Sequence, residues 1–262
     1  MSAPDVMALD GKVAFVTGAA RGMGEAEARL FVERGARVVI ADVLDEEGRQ
    51  VAHELGDSAL YLHLDVSRSS EWERAMQAAL SHFGRLDVMV GNAGISPPPK
   101  PIEETTEEEY RRVIEINQLG CFSSIKHSIA PMKQAGAGSI ILISSTAGID
   151  AVAGIAAYTS SKFAVKSLAR VAALELGRSN IRVNTVYPGP IDTAMSHWGG
   201  HDMRPALAKG NPMGRIGTPR EVAEVVAFLA SDASSYCTGG AFSVDGGETA
   251  GVFVQYDDPT AQ

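Results

Sequence analysis

Short β-branched runs alternate with longer amphipathic stretches from one end of the chain to the other, and this alternation limits the available folds more than any other feature. KVAFVT leads into a helical stretch to about Gly35, RVVIAD into EEGRQVAHEL, ALYLHLDV into SSEWERAMQAAL, and LDVMVG into a long helix from about Thr106. SIILIS, a helix around Tyr158 and IRVNTVY continue the series. Strands separated by helices are linked by crossovers, which are right-handed and cover a parallel sheet on both faces. The expected fold is α/β, a doubly wound parallel sheet of about seven strands. With 262 residues, 45% of them hydrophobic, the chain can bury the core of one such domain. No repeat or polar linker divides it, so a single domain over 1–262 is expected.

The formal charge of -9 lacks the basic footprint that phosphate-backbone binding requires, so no nucleic-acid partner is expected. The first residues show no basic segment followed by an apolar core, and no stretch offers ~18 unbroken apolar residues. The expectation is a cytoplasmic protein with no membrane association. Cys121 and Cys237 are far apart and fit neither a disulfide framework nor a metal spacing, which reads as buried free thiols in a reducing setting.

Ser70-x-x-Glu73, Thr106-x-x-Glu109 and Thr218-Pro219-Arg220-Glu221 have the form of capping boxes, which mark helix starts and require no function. Between Pro188 and Thr218 the alternation lapses into about thirty residues rich in Met, Trp, His, Gly and Pro, too long for an idle connection. The segment 188–218 is expected to be a lid or substrate loop. Met195 and Trp198 within it suit a flat apolar substrate and equally a subunit interface. His197 and His201 have the i, i+4 spacing of a zinc-binding helix. Two intervening glycines oppose that helix and no third ligand is evident, so no metal is expected.

The first strand runs into TGAARGMG, residues 17–24, with glycines at 18, 22 and 24 and a helix directly after. Such glycines let the backbone turn tightly and approach a pyrophosphate, and the helix N-terminus offers unpaired N–H groups and a positive dipole end. The spacing is not G-x-G-x-x-G, and a turn that binds nothing also uses glycine; placement at the first strand–helix junction is what points to a nucleotide. Eighteen residues past Gly24, at the end of the second strand, stands Asp42. Its carboxylate can accept from ribose hydroxyls and would repel a 2′-phosphate, which argues for NAD. Arg21 argues the other way, because a guanidinium can pair with that phosphate. Opposite charges ~4 Å apart interact by about 4 kcal/mol at an effective dielectric of ~20, so the two effects are comparable. The ribose bonds favour Asp42 and NAD, with helix capping as the alternative role for Asp42.

YTSSK, residues 158–162, places a phenol and an ammonium one turn apart on a helix face, a spacing that solvated helices also produce by chance. As a working pair it would move protons: an ordinary phenol, pKa about 10, is a poor base at neutral pH, and a nearby cation favours phenolate. Ser145 lies thirteen residues earlier, where the carboxyl end of a strand meets the crevice that receives ligands. Ser144 beside it reads as strand-end polarity. Taken alone, Asn117 reads as a solvent-facing or helix-bending residue, and Pro188-Gly189 as a turn.

Taken in order, the 17–24 turn, Asp65-Val66, Asn92-Ala93-Gly94, Asn117, Ser145, Tyr158-x-x-x-Lys162 and Pro188-Gly189 with Thr193 form a combination far more specific than its parts. Over essentially its whole length the chain resembles the classical short-chain dehydrogenase/reductase family. The resemblance implies a Rossmann-type domain that binds a nicotinamide dinucleotide and interconverts a secondary alcohol and a ketone. It implies Tyr158 as acid/base, Lys162 as its tuning cation and a ribose ligand, and Ser145 as donor to the substrate oxygen. It also implies that the Asn117 backbone helps hold a water connecting Lys162 to solvent. The cofactor residues implied are Gly18, Arg21, Gly22, Met23 and Gly24 in the turn, Asp42 and Val43 at the adenosine, and Asp65 and Val66 at the adenine. Asn92, Ala93 and Gly94 would back the cofactor, and Pro188, Gly189, Ile191 and Thr193 would lie at the nicotinamide. One departure is Gly91, where the family often has another asparagine; this removes a side chain near the sheet edge without touching the segment that backs the cofactor.

Within the family, RGMG, VLDEEG, YLHLDV, LASDASSYCTGG and VDGG resemble the bacterial 3α(20β)-hydroxysteroid dehydrogenases. That likeness implies a hydroxysteroid or other bulky apolar substrate, and a homotetramer with the Tyr158 helix and the C-terminal strand region at its interfaces. An NADPH-dependent reductase of 3-oxoacyl thioesters shares the fold and catalytic residues; Arg21 is compatible with it and Asp42 is not. A non-catalytic dinucleotide-binding scaffold or sensor would be expected to lack Tyr158 or Lys162, and both are present. The C-terminal GVFVQYDDPTAQ is positioned in sequence to reach the active site of a neighbouring subunit.

Overall fold

The computed structural model describes residues 6–198 and 201–252. Among them the strands are β1 (Val13–Thr17), β2 (Arg37–Asp42), β3 (Ala59–His63), β4 (Val88–Gly91), β5 (Gly138–Ile143), β6 (Ile181–Pro188), β7 (His197–Trp198), β8 (His201–Asp202) and β9 (Ala241–Val244). The helices are α1 (Gly22–Glu33), α2 (Asp45–Leu55), α3 (Ser69–Phe83), α4 (Glu107–Val113), α5 (Gly120–Ala135), α6 (Ala156–Leu176), α7 (Arg204–Gly210) and α8 (Pro219–Ala230). Seven strands form one sheet in the order β3-β2-β1-β4-β5-β6-β9, and every neighbouring pair is parallel.

Strand side chains alternate between two cores. Phe15, Val39, Met89, Ile140 and Leu142 pack on one side with Trp72 and Met76 of α3, Ile125 and Met132 of α5, and Val165 and Ala169 of α6. Ala14, Val16, Val38, Ile40, Val90 and Ile141 pack on the other with Ala28 and Phe31 of α1, Val51 of α2, and Val222 and Val226 of α8. Burial on both faces explains why the strands read as continuous apolar runs. From β1 the chain first builds outward through β2 and β3, then returns to place β4 on β1's other side. That reversal opens a crevice at the carboxyl ends of β1 and β4.

Thr106 with Glu109 and Thr218 with Glu221 form complete capping boxes. Ser70 does not: α3 begins at Ser69, and Arg68 at its N-cap makes no side-chain cap bond. The start is set by local bonds around Asp65, whose N–H donates to Glu71 Oε2 at 2.7 Å and whose Oδ1 accepts from Ser67 N–H at 3.0 Å. The long helix from Thr106 is interrupted by a π-helical segment, Ile114–Leu119, between α4 and α5.

Within 188–218 the chain forms the β7–β8 hairpin, α7 and a parallel bridge between Ile191 and Gly217. His197 and His201 therefore lie on facing strands, not on one helix; the side chains of His197 and Trp198, with residues 199–200 and 253–262, fall outside the described residues. Neither cysteine is in a disulfide; Cys121 is buried as expected, whereas Cys237 is only half-buried, in the connection between α8 and β9. Among the described residues no helix is long and apolar enough to cross a membrane.

Glu27 on α1 is fully buried, and neither carboxylate oxygen has a hydrogen-bond partner among the described residues. Burial holds its pKa well above the ordinary carboxylate range. Because the folded value is raised, stability is fullest below the unfolded pKa of about 4.3 and is lost as pH climbs toward the folded value. Glu27→Met should stabilise the fold by ~1–3 kcal/mol, with a larger gain at about pH 8 than at about pH 5. Urea denaturation at the two pH values checks this; a gain that shrinks toward alkaline pH would contradict it.

Candidate active site

The residues singled out in the sequence gather at the carboxyl ends of β1, β2, β4, β5 and β6. Two glycines of the first turn are required by close approach. A Cβ on Gly24 would fall 2.3 Å from Gly18 O, and one on Gly18, where φ is +65°, would fall 2.9 Å from Ala93 Cα. Gly22 is different: a Cβ there would meet only Thr193, at 3.5 Å, which shows that the loop after β6 reaches over to the turn. This narrow, side-chain-free strip with the N-terminus of α1 behind it fits a pyrophosphate. Arg21 precedes α1 in extended conformation and is exposed, while Met23 packs partly buried against the core.

Thr17 joins the two sides of the crevice. Its hydroxyl donates to Val90 O at 3.3 Å and accepts from the N–H groups of Asn92 and Ala93 at 3.0 and 3.1 Å. The Asn92 side-chain amide donates back to Thr17 O and Gly18 O at 2.9 and 3.1 Å. Gly91 ends β4, a central strand of the sheet, and a Cβ there would fall 2.8 Å from Leu142 Cδ2, so a side chain at this position would have to displace the end of Leu142.

Asp42 is 9% exposed. Its Oδ2 accepts from Ala20 N–H in the glycine turn at 3.0 Å, and its Oδ1 from Val43 and Leu44 N–H at 2.8 and 3.1 Å. The carboxylate thus ties the turn to the end of β2 and does not cap α2, which has no side-chain cap bond. Val43 beside it is an exposed apolar residue. The carboxylate of Asp65 is committed to Ser67 and Arg68, and Val66 packs into the core with its carbonyl accepting from Trp72 Nε1.

Lys162 is 3% exposed, and its ammonium donates to Ile143 O at the end of β5 at 2.8 Å. No carboxylate pairs with it among the described residues. Its Nζ lies 5.5 Å from the Tyr158 ring centroid, and a Cβ built on Gly94 would stand 3.5 Å from it. Tyr158 is half-buried, and its hydroxyl has no hydrogen-bond partner among the described residues. Ser145 lies two residues past the end of β5, in the N-cap position of a short 3-10 turn, with Oγ accepting from Ala147 N–H at 3.1 Å.

Asn117 is fully buried in the π segment, contrary to the solvent-facing reading. The altered winding turns it inward, where Oδ1 accepts from Ile95 N–H at 2.8 Å and Nδ2 donates to Ile95 O at 2.9 Å and Ser161 Oγ at 3.1 Å. Ser161 in turn donates to Tyr158 O at 2.6 Å. Ser144 is more than strand-end polarity, since its Oγ donates to Lys162 O at 2.9 Å and so anchors α6 to β5. On the far side, Gly189 N–H donates to Val244 O at 3.1 Å and Ile191 is 8% exposed. The supporting residues Thr17, Ser144 and Ser161 are small hydroxyls, each with at least one partner on a segment distant in sequence, so no local pattern marks them.

The comparisons with known proteins agree with this arrangement. A family model described as enoyl-(acyl carrier protein) reductase matches residues 18–249. The chain belongs to the short-chain dehydrogenase/reductase family, and it is an oxidoreductase of the alcohol dehydrogenase/ketoreductase kind that binds a nicotinamide dinucleotide. Among relatives, it is 46% identical to a 3-alpha-(or 20-beta)-hydroxysteroid dehydrogenase of Mycobacterium tuberculosis, over 93% of this chain and 92% of that one. It is 42% identical to a trans-4-hydroxycyclohexanecarboxylate dehydrogenase of Sinomonas cyclohexanicum, over 94% and 96%. A solved structure of a 3-ketoacyl-(acyl-carrier-protein) reductase from Brucella melitensis, complexed with NADH, superposes with a TM-score of 0.89 at 36% identity, covering 92% of this chain and all of that one.

Proposed function

We propose that the protein is an NAD-dependent dehydrogenase that interconverts a bulky apolar secondary alcohol, a hydroxysteroid or an alicyclic alcohol, and its ketone. One observation carries this reading: the buried Lys162 ammonium is held at the end of the strand that leads into Ser145, and the unbonded Tyr158 hydroxyl lies one helical turn before it. A bound nicotinamide dinucleotide supplies the hydride acceptor in oxidation and the donor in reduction. Gly18, Arg21, Gly22, Met23 and Gly24 would hold its pyrophosphate, Asp42 and Val43 the ribose, and Asp65 and Val66 the adenine. Asn92, Ala93 and Gly94 would support it from behind, with Pro188, Gly189, Ile191 and Thr193 at the nicotinamide.

Ser145 donates a hydrogen bond to the substrate oxygen, and Tyr158 removes the hydroxyl proton in oxidation and returns it in reduction. Lys162 would stabilise negative charge developing on the Tyr158 oxygen and would also hold the ribose of a bound nucleotide. The proton continues to solvent through Lys162 and a water held at the Asn117 main chain. Asp42 supports NAD, because its carboxylate already sits at the turn where a 2′-phosphate would bring further negative charge. Arg21, exposed beside it, is the observation that favours the second reading, an NADPH-dependent 3-oxoacyl-thioester reductase.

The chain is read as one domain over 1–262 with a substrate loop at 188–218, in a cytoplasmic homotetramer. Exposed Phe163, Val171 and Leu174 on α6, with Leu119 at the end of the π segment and Phe122 at the start of α5, are apolar surface suited to a second copy. The substrate class is tested by kcat/KM on a panel of ketosteroids, cyclic ketones and acetoacetyl thioesters. The cyclic and steroid ketones should lead; preference for the thioesters would establish the second reading instead.

A further inference from the structure

The turn after β9, VDGGET, brings the carboxyl group of an exposed residue, Glu248, against Gly189 at the end of β6. Asp245 pins this turn: its Oδ1 accepts from Gly247 N–H at 3.0 Å, and its Oδ2 from Thr249 N–H at 3.0 Å and Thr249 Oγ1 at 2.6 Å. Glu248 is therefore held on a defined backbone. Its Oε2 lies 2.9 Å from where a Cβ on Gly189 would stand. Gly189 directly follows β6, and Thr146, whose hydroxyl acts on the Glu248 carboxyl, directly follows Ser145, so Glu248 stands against the segment assigned to the nicotinamide and near the one assigned to the substrate oxygen. No cation pairs with it among the described residues.

We infer that Glu248 is a specificity-determining residue, whose unneutralised carboxylate makes this site select neutral alcohols and ketones against substrates that carry a carboxylate. The inference rests on the function proposed above. Burial pushes the Glu248 carboxyl up, the Thr146 hydroxyl opposes that, and Asp245 and Asp150 add to it. The acidic neighbours thus supply no countercharge for an incoming anion, and like-charge juxtaposition is an effective way to reject a competitor.

The test compares cyclohexanol with 4-hydroxycyclohexanecarboxylate, which differ by one carboxylate, at about pH 8. Wild type and Glu248→Gln are assayed with saturating NAD, and the affinity of cyclohexanecarboxylate relative to that of cyclohexanol is measured by calorimetry on the same proteins. Wild type should favour cyclohexanol in kcat/KM, and Glu248→Gln should shift that ratio toward the anion by about 10-fold, with a parallel shift in relative affinity. Equal ratios in the two proteins, in turnover or in binding, overturn the inference. If neither alcohol is turned over, the proposed reaction fails, and the binding ratio still decides the role of Glu248.

Discussion

Tyr158→Phe should lower kcat by ~100-fold or more while leaving NAD affinity and thermal stability close to those of the wild type. The expectation rests on what the hydroxyl does in the fold, which is nothing: it has no hydrogen-bond partner among the described residues. Other tyrosines are employed structurally. Tyr61 donates to Asp42 O at 2.9 Å and to Asp45 Oδ1 at 2.7 Å, and the Tyr187 hydroxyl accepts from Thr185 Oγ1 at 3.2 Å. Removing the Tyr158 oxygen therefore costs no internal bond and leaves the ring beside Lys162 in place. Steady-state kinetics, NAD titration and a melting curve together check this; undiminished turnover would remove Tyr158 from the chemistry.

Asp42→Ala should reverse or erase the cofactor preference, cutting the ratio of kcat/KM for NAD over NADP by about 10-fold or more. It should also destabilise the protein by ~1–3 kcal/mol, because the buried N–H of Ala20 and the partly buried N–H groups of Val43 and Leu44 lose their acceptor. Kinetics with each nucleotide on one ketone and denaturation of the variant check the two effects separately. A wild type that prefers NADPH would mean that Arg21 outweighs Asp42.

The doubly wound sheet was legible because alternating apolar runs and helices leave a chain few other ways to bury both faces of its strands. The glycine turn was legible for a similar reason, since Gly18 and Gly24 meet backbone and side chains that no Cβ could approach. What escaped a linear reading were bonds between distant segments. Asp42 looks like a candidate helix cap, yet it binds Ala20, twenty-two residues earlier. Asn117 looks solvent-facing until the π segment turns it toward Ile95 and Ser161. Ser70 has the spacing of a cap, but Asp65 and Glu71 set the helix start first. Glu248 gives no local signal, because its neighbours Thr146 and Gly189 are brought to it by the order of β5, β6 and β9 in the sheet.

The central claim is hydride exchange between a secondary alcohol and NAD under the control of Tyr158, and isotope transfer measures it most directly. A cyclic secondary alcohol carrying deuterium on its carbinol carbon is incubated with NAD and the protein, and the reduced nucleotide is analysed by mass spectrometry. Deuterium should appear in the NADH in step with ketone formation by the wild type, and almost none should appear over the same time with Tyr158→Phe. Unlabelled NADH, or equal label with both proteins, would contradict the account.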